Sequence, residues 1–437
     1  MLSYGSVNFS VSIYMAFSSY YLMMFCTDVA LVPAATTAVL LLCYRLVSLF
    51  DDPFMGLVIN RNHFRDGKYR PYIKWAALPF ALGLAGFGLT PRIGPAARTF
   101  FAAFTLILCE LSKSAISTAA LSMLPYFAKD DKTRTKYVSF SNGSAIASFI
   151  VIGTFMLPMA DFFGKGDRGK GFSAVLALLM AIVIPVLFNA YLRLKERYYG
   201  ETPGKPAVRD LLSAIGRNKR LLLFFTGFCL YAVGNAFKSQ IAYYYVTYNL
   251  GRPELLPAVI FAGLISPLAM QPLIPRLLSY AKKETLIVFG AFAASCASLS
   301  ILAAGGSPAG LIVCITFYGL FTSLVANLAF AVTASFTDGI RLSQNINMSE
   351  ILTAAMGLSS NLGSTVTSGV GPMVLAVSGY SALTAAQTQA TLSAIKILFV
   401  ICAATGLALS GLVFLLAFKK RNVKGCYRNV NIRKQNY

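Results

Sequence analysis

The residues best able to do chemistry lie in one short segment, Arg45 to Gly56, which reads Arg-Leu-Val-Ser-Leu-Phe-Asp-Asp-Pro-Phe-Met-Gly. Ser48, Asp51 and Asp52 fall at i, i+3 and i+4, so on a helix they share one face. Two carboxylates and a hydroxyl are hard oxygen ligands of the kind a small cation takes. Adjacent carboxylates also oppose each other's ionisation, so one of them can carry a transferable proton. Arg45 lies one turn before Ser48. The competing reading is a helix-end charge cluster tied to basic residues nearby. The depth of the acids within a long apolar stretch favours a cation or proton site. A second polar stripe holds Glu110, Lys113, Ser114 and Ser117, again at helical spacing. Ser114 is placed to face Asp51 and Asp52, while Glu110 and Lys113 at i, i+3 either satisfy each other or line the same space. Further along, Lys238 stands between Asn235 and Ser239, and Asn361 within a run of Ser and Thr.

These stripes need helices in a membrane to position them. The chain has 437 residues, 57% hydrophobic and 12% charged, against roughly 45–50% and about 25% in soluble domains. With about 20 apolar residues per crossing, twelve spans fit, at about 4–26, 33–59, 72–90, 99–127, 138–159, 172–191, 221–247, 255–278, 285–304, 310–336, 347–377 and 386–418. The longest interruption divides them six and six. The expected organisation is a six-helix bundle over 1–192, a central loop over 193–220, a second six-helix bundle over 221–418 and a basic tail over 419–437. Such a layout suggests two pseudo-symmetric halves.

Charge sets the expected orientation. Of 38 Lys and Arg, 28 fall in the even-numbered loops, central loop and tail, against six in the opposite loops. By the positive-inside bias, both termini face the cytoplasm. The net charge of +22 is thus ascribed to an anionic membrane face rather than to nucleic acid. Arg45, Lys113, Lys238 and Lys396 are left inside spans, where a charge is costly and marks a pairing or a wet path. An enzyme is disfavoured: the single His63 sits in a loop, no C-x-x-C pair occurs among eight Cys, and no phosphate-loop motif appears. The first apolar stretch lacks a basic leader and a cleavage site and is read as a span.

Several motifs then match a known family in order. These are Ser3-Tyr-Gly, Thr27-Asp28, Arg45 through Asp52-Pro53-x-Met-Gly56, Arg65-Asp-Gly-Lys-Tyr-Arg70-Pro71-Tyr72, Asp130-x-x-x-Arg134, and Asn235 with Tyr243-Tyr244. The chain resembles the glycoside–pentoside–hexuronide:cation symporters (melibiose permease-like) of the major facilitator superfamily. The resemblance implies an all-α polytopic protein with twelve helices in two six-helix bundles, working by alternating access around a central site. It implies a cation-binding set of Ser48, Asp51, Asp52 and Ser114, with H⁺ or Na⁺ as coupling ion and no other cofactor. At the positions of the family's sugar site this chain has Ser12, Lys113, Ser117, Asn142 and Asn361, and Lys238 is added to them as a substrate-binding residue by its mid-span place. Galactoside-binding members have acids where Ser12 and Ser117 stand, a Tyr at Lys113 and a Trp at Leu121, so a typical galactoside is not expected. Losing two acids and gaining a lysine points to a polar or anionic solute. Relatives of this fold also move lysolipids, which is the alternative. Arg45, Arg65, Arg70, Asp130 and Arg134 are expected to gate or brace the cytoplasmic side, with Arg65 to Arg70 acting as a latch. The expected protein is an inner-membrane transporter, monomeric, with a small-molecule substrate.

Overall fold

The protein is described from a computed structural model. It covers residues 1–61, 64, 67–92, 94–127, 131–194, 218–304, 306–344, 349–384 and 386–419. Within these, the side chains of 52, 53, 57, 60, 61, 92, 95, 96, 125–127, 131, 132, 134, 135, 338–344 and 349–351 are not described.

The described chain is helical, with one isolated bridge between Phe64 and Gly67 as its extended pairing. In chain order the long helices are α1 (Leu2–Tyr20, continued by Leu22–Val29), α2 (Ala34–Arg61), α3 (Arg70–Leu89), α4 (Pro95–Phe127), α5 (Asp131–Gly164) and α6 (Arg168–Arg193). They continue with α7 (Lys219–Asn249), α8 (Leu256–Met270), α9 (Lys283–Ala303), α10 (Pro308–Gln344), α11 (Ser349–Val377) and α12 (Gln389–Phe418). Among the described residues, ten helices are long and apolar enough to cross a membrane, or eleven if the bent α1 counts as one. α11 is 29 residues long, and eight Ser and Thr residues with Asn361 make it polar. Phe100, Phe104, Phe162, Phe289 and Phe317 are exposed. In water such side chains would be a liability; in lipid they are the solvent-facing surface.

Two helices end irregularly. α1 bends by 64° at Tyr21, and its last turn, Phe25–Val29, is π-helical. α7 ends in a π-helical turn of the same length, Tyr245–Asn249. A π turn widens the backbone ladder and frees carbonyls and side chains for other work.

The chain forms two compact units. The first comprises Met1–Thr202, Gln240–Phe261 and Ser368–Ile395, and the second Pro203–Ser239, Ala262–Thr367 and Lys396–Tyr437. In the first, α1 is stitched to α5 by Asn8 donating to Ser141 O (3.0 Å), Ser148 to Phe9 O (2.8 Å) and Tyr21 to Gly153 O (2.6 Å). Phe17, Phe25, Phe87 and Phe172 pack edge to face within it. The α5–α6 crossing is closer still, because a Cβ on Gly171 would strike the Ala160 carbonyl. In the second unit the core gathers around Phe224, Phe336 and Phe414, and α7 crosses α12 glycine to glycine at Gly234 and Gly406.

Candidate functional site

The first unit contains a connected polar network on α1, α2 and α4. Glu110 on α4 is buried, and its two oxygens have different partners. Tyr44 on α2 donates to Oε2 at 3.0 Å, and Lys113, one turn on, donates to Oε1. Lys113 Nζ also lies 3.8 Å from Asp51 Oδ2 on α2. The side chain of Asp51 has no exposed area, and that of Lys113 keeps 15%. Tyr44 pairs with Ser18 of α1 at 3.2 Å, and Arg45 Nη2 donates to the same Ser18 at 3.4 Å. Arg45 Nε donates to Ser368 at 3.3 Å, which Gln240 also reaches at 3.1 Å. The helical spacing explains the assembly: Glu110, Lys113, Ser114 and Ser117 fall on one stripe of α4, and Tyr44, Arg45, Ser48 and Asp51 on the facing side of α2.

The structure brings Ser48, Asp51, Lys113 and Ser114 into buried or half-buried positions on α2 and α4. Ser48 turns its hydroxyl back to Arg45 O (2.9 Å) and Ser117 to Ser114 O (3.2 Å), the back-bonding open to hydroxyls on a helix. Ser12 is buried on α1 and Asn142 exposed on α5. Asp52 follows Asp51 within α2, and Arg134 lies on α5, but both side chains, like all of Arg65 and Asp130, are outside the described residues. Arg70 is committed within the first unit: its Nε donates to Tyr191 O near the end of α6 (2.6 Å), and its guanidinium lies 4.3 Å from the Tyr191 ring centre.

Lys238 and Asn361 belong to the second unit. Sequence reasoning makes Lys238 a cation facing the solute path, but the structure gives its ammonium other work. It donates to Ser298 Oγ (2.8 Å) and to Phe399 O (2.7 Å), and lies over the Phe399 ring at 4.1 Å. The reason is local. α12 is π-helical over Ile397–Cys402, so carbonyls there leave the α ladder; Lys238 caps one and Ser298 caps Val400 O (3.0 Å). Asn361 is half-buried, and its carbonyl accepts from Thr365 at 2.8 Å.

A second cluster, around Asp28, is one that sequence reasoning passes over as a motif match alone. Asp28 Oδ1 accepts from Tyr248 and Tyr380, both at 2.7 Å, and Oδ2 accepts from Thr27 at 2.5 Å. Thr27 and Tyr244 hydroxyls lie 2.6 Å apart, and Arg168 donates to Tyr243 at 3.0 Å. Burial, then Tyr244 and Asp28, push the Tyr380 phenol pKa far above its ordinary value, so this hydroxyl stays a donor. The geometry is a repeat. Thr27 and Pro33 recur as Thr247 and Pro253. Ala30 N donates to Phe25 O and Val32 N to Cys26 O, as Leu250 N does to Tyr245 O and Arg252 N to Val246 O. Leu31 (φ +54°) and Gly251 (φ +65°) take the same left-handed conformation. Asp28 therefore meets Tyr248, its own counterpart in the repeat. The recurring Thr and Pro are the signal that could have found it.

Residues 3–419 match the MFS/sugar transport protein family. The chain belongs to this family. An isoprimeverose transporter of Lactiplantibacillus pentosus is 27% identical over 421 residues, 94% of this chain and 87% of that protein. YagG of Escherichia coli K12, provisionally named a glycoside/cation symporter, is 25% identical over 399 residues, 91% and 86% of the two chains. A solved structure of a point variant of the nucleoside transporter NupG superposes with a TM-score of 0.69 at 12% identity, covering 96% of this chain and all of that one. The fold is the all-α major facilitator fold, and the protein is a multi-pass membrane transporter of a small molecule, not an enzyme.

Proposed function

We propose that the chain is a cation-coupled symporter of a glycoside or a related sugar, working by alternating access. The observation that carries this reading is the buried Asp51–Lys113–Glu110 network. Ionised groups at mid-helix in a membrane protein are costly and persist where they bind or relay a charge. Ser48 and Ser114 stand on the same faces as this network, and Asp52 next to it in the chain. The coupling ion is H⁺ or Na⁺. Because the Lys113 charge is met by Glu110 and Asp51, the anionic preference expected from an unpaired lysine loses its main support, and Lys238 adds none. A neutral glycoside such as isoprimeverose, named for one relative, fits better than a lysolipid. The Asp28–tyrosine cluster is the outer gate: it ties the ends of α1 and α7 and the segment after α11 through hydrogen bonds that can be made or released together. The protein acts as a monomer in the inner membrane with both termini cytoplasmic.

A thermal-shift screen of the purified protein tests the substrate class. Disaccharides, pentosides, hexuronates, sugar phosphates and lysophospholipids are compared. A glycoside or pentoside should raise the melting temperature saturably. Stabilisation by lysophospholipid alone would replace this reading with the lipid one.

A further inference from the structure

Two buried carboxylates from different helices face one ammonium. Lys113 donates to Glu110 Oε1 and lies 3.8 Å from Asp51 Oδ2. The second oxygen of Glu110 is taken by Tyr44. Both Glu110 oxygens therefore have protein donors, and the Asp51 carboxylate has a positive charge at its side. An alkali cation in the same place needs several oxygens around it at short range. Here one of those directions is filled by a group of the same charge, which repels it. Among the described residues, the Glu110–Lys113–Asp51 arrangement does not fit Na⁺.

We propose that Lys113 is a tethered cation that stands where an alkali ion would lie between the α2 and α4 carboxylates, so that the transporter does not bind Na⁺ and is coupled to protons. This rests on the symport reading above and names its ion. A proton needs a single carboxylate lone pair and no shell of ligands. On binding, an O–H bond forms on Asp51 and the attraction between Asp51 and Lys113 is lost, leaving the ammonium on Glu110. On release, the proton leaves as H⁺ and the pair re-forms. Protonation thus changes how firmly α2 is held to α4. Among the described residues, the other titratable groups about this pair are Tyr14 from α1, Tyr44 and Arg45 from α2, and Cys109 from α4, against which α3 packs Gly83. Arg45 already has Ser18 and Ser368 as partners, and among the described residues Lys113 is the cation within 4 Å of both acids.

The test is equilibrium binding of radioactive sodium ion to the full-length protein in detergent, with choline as the control salt. Wild type and Lys113→Arg should show no saturable binding. Lys113→Ala and Lys113→Ser, which open the position and leave the carboxylates, should each gain a saturable site that Li⁺ competes for. Saturable Na⁺ binding by wild type would overturn the proposal whatever the variants do. So would its absence from both small variants when they elute and melt as folded protein. Uptake into proteoliposomes separates this failure from failure of symport itself. Accumulation driven by a Na⁺ gradient defeats the proton assignment alone, and accumulation driven by neither gradient defeats the symport reading.

Discussion

Replacing Asp28 by Asn should loosen the proposed outer gate without removing it. Asp28 accepts three hydroxyl hydrogen bonds, but Thr27 is its chain neighbour and contributes nothing across elements. The bonds that Asp28 makes to other segments are those from Tyr248 and Tyr380, both 2.7 Å long. A hydrogen bond to an ionised group contributes about 1.5–3 kcal/mol and one between neutral groups about 0.5–1.5. Asn keeps an acceptor oxygen but not the charge, so the loss is about 1 kcal/mol per bond and about 2 kcal/mol in all. Each 1.4 kcal/mol is tenfold, so the gate equilibrium shifts by about 30-fold. A latch closed about 99:1 would fall to about 3:1, a change that is easy to see. The assay is the distance distribution between spin labels at Ala35→Cys and Ala386→Cys, both exposed in the first unit, in a background lacking the eight native cysteines. Asp28→Asn should add a longer-distance population, and Tyr380→Phe, which removes one of the two bonds, a smaller one. Distributions identical to wild type for both variants would refute the reasoning.

Other consequences are more local. Gly171→Ala should abolish folding or nearly so, because the new Cβ would lie 2.7 Å from the Ala160 carbonyl carbon and inside its oxygen; a normal yield of monodisperse protein would show that α5 and α6 can part there. Arg70→Ala should cost about 2 kcal/mol of stability, from a charge-assisted bond to Tyr191 O and a cation–π contact. Its signature is a lower melting temperature in detergent, with Arg70→Lys recovering part of it. Lys238→Gln should leave substrate affinity unchanged, since the amide can still donate to Ser298 and Phe399 O; a marked loss of affinity at unchanged melting temperature would return Lys238 to the substrate path.

The expectations that held rested on local rules. Apolar runs of membrane length mark the helices, and the i, i+3, i+4 spacings at Ser48–Asp51 and Glu110–Ser114 put the polar residues on one stripe of each helix. What escaped depended on irregular backbone or on partners far along the chain. The first apolar run gives no sign of the 64° bend at Tyr21. Lys238 looks like a ligand-facing cation until the π turn at Ile397–Cys402 supplies it with a carbonyl. Asp28 draws Tyr380 from 352 residues away, and no helical period connects them. Lys113 was legible as a neighbour of Glu110, but its second acid, Asp51, is a tertiary contact.

The most direct test of the account is accumulation of a stabilising glycoside in proteoliposomes under an imposed proton gradient. Wild type should concentrate the sugar above the outside level and lose it when a protonophore is added. Asp51→Asn should only equilibrate it. Equal accumulation by wild type and Asp51→Asn, or equilibration by both whatever the gradient, would contradict the claim that the buried α2–α4 charge network couples an ion to the sugar.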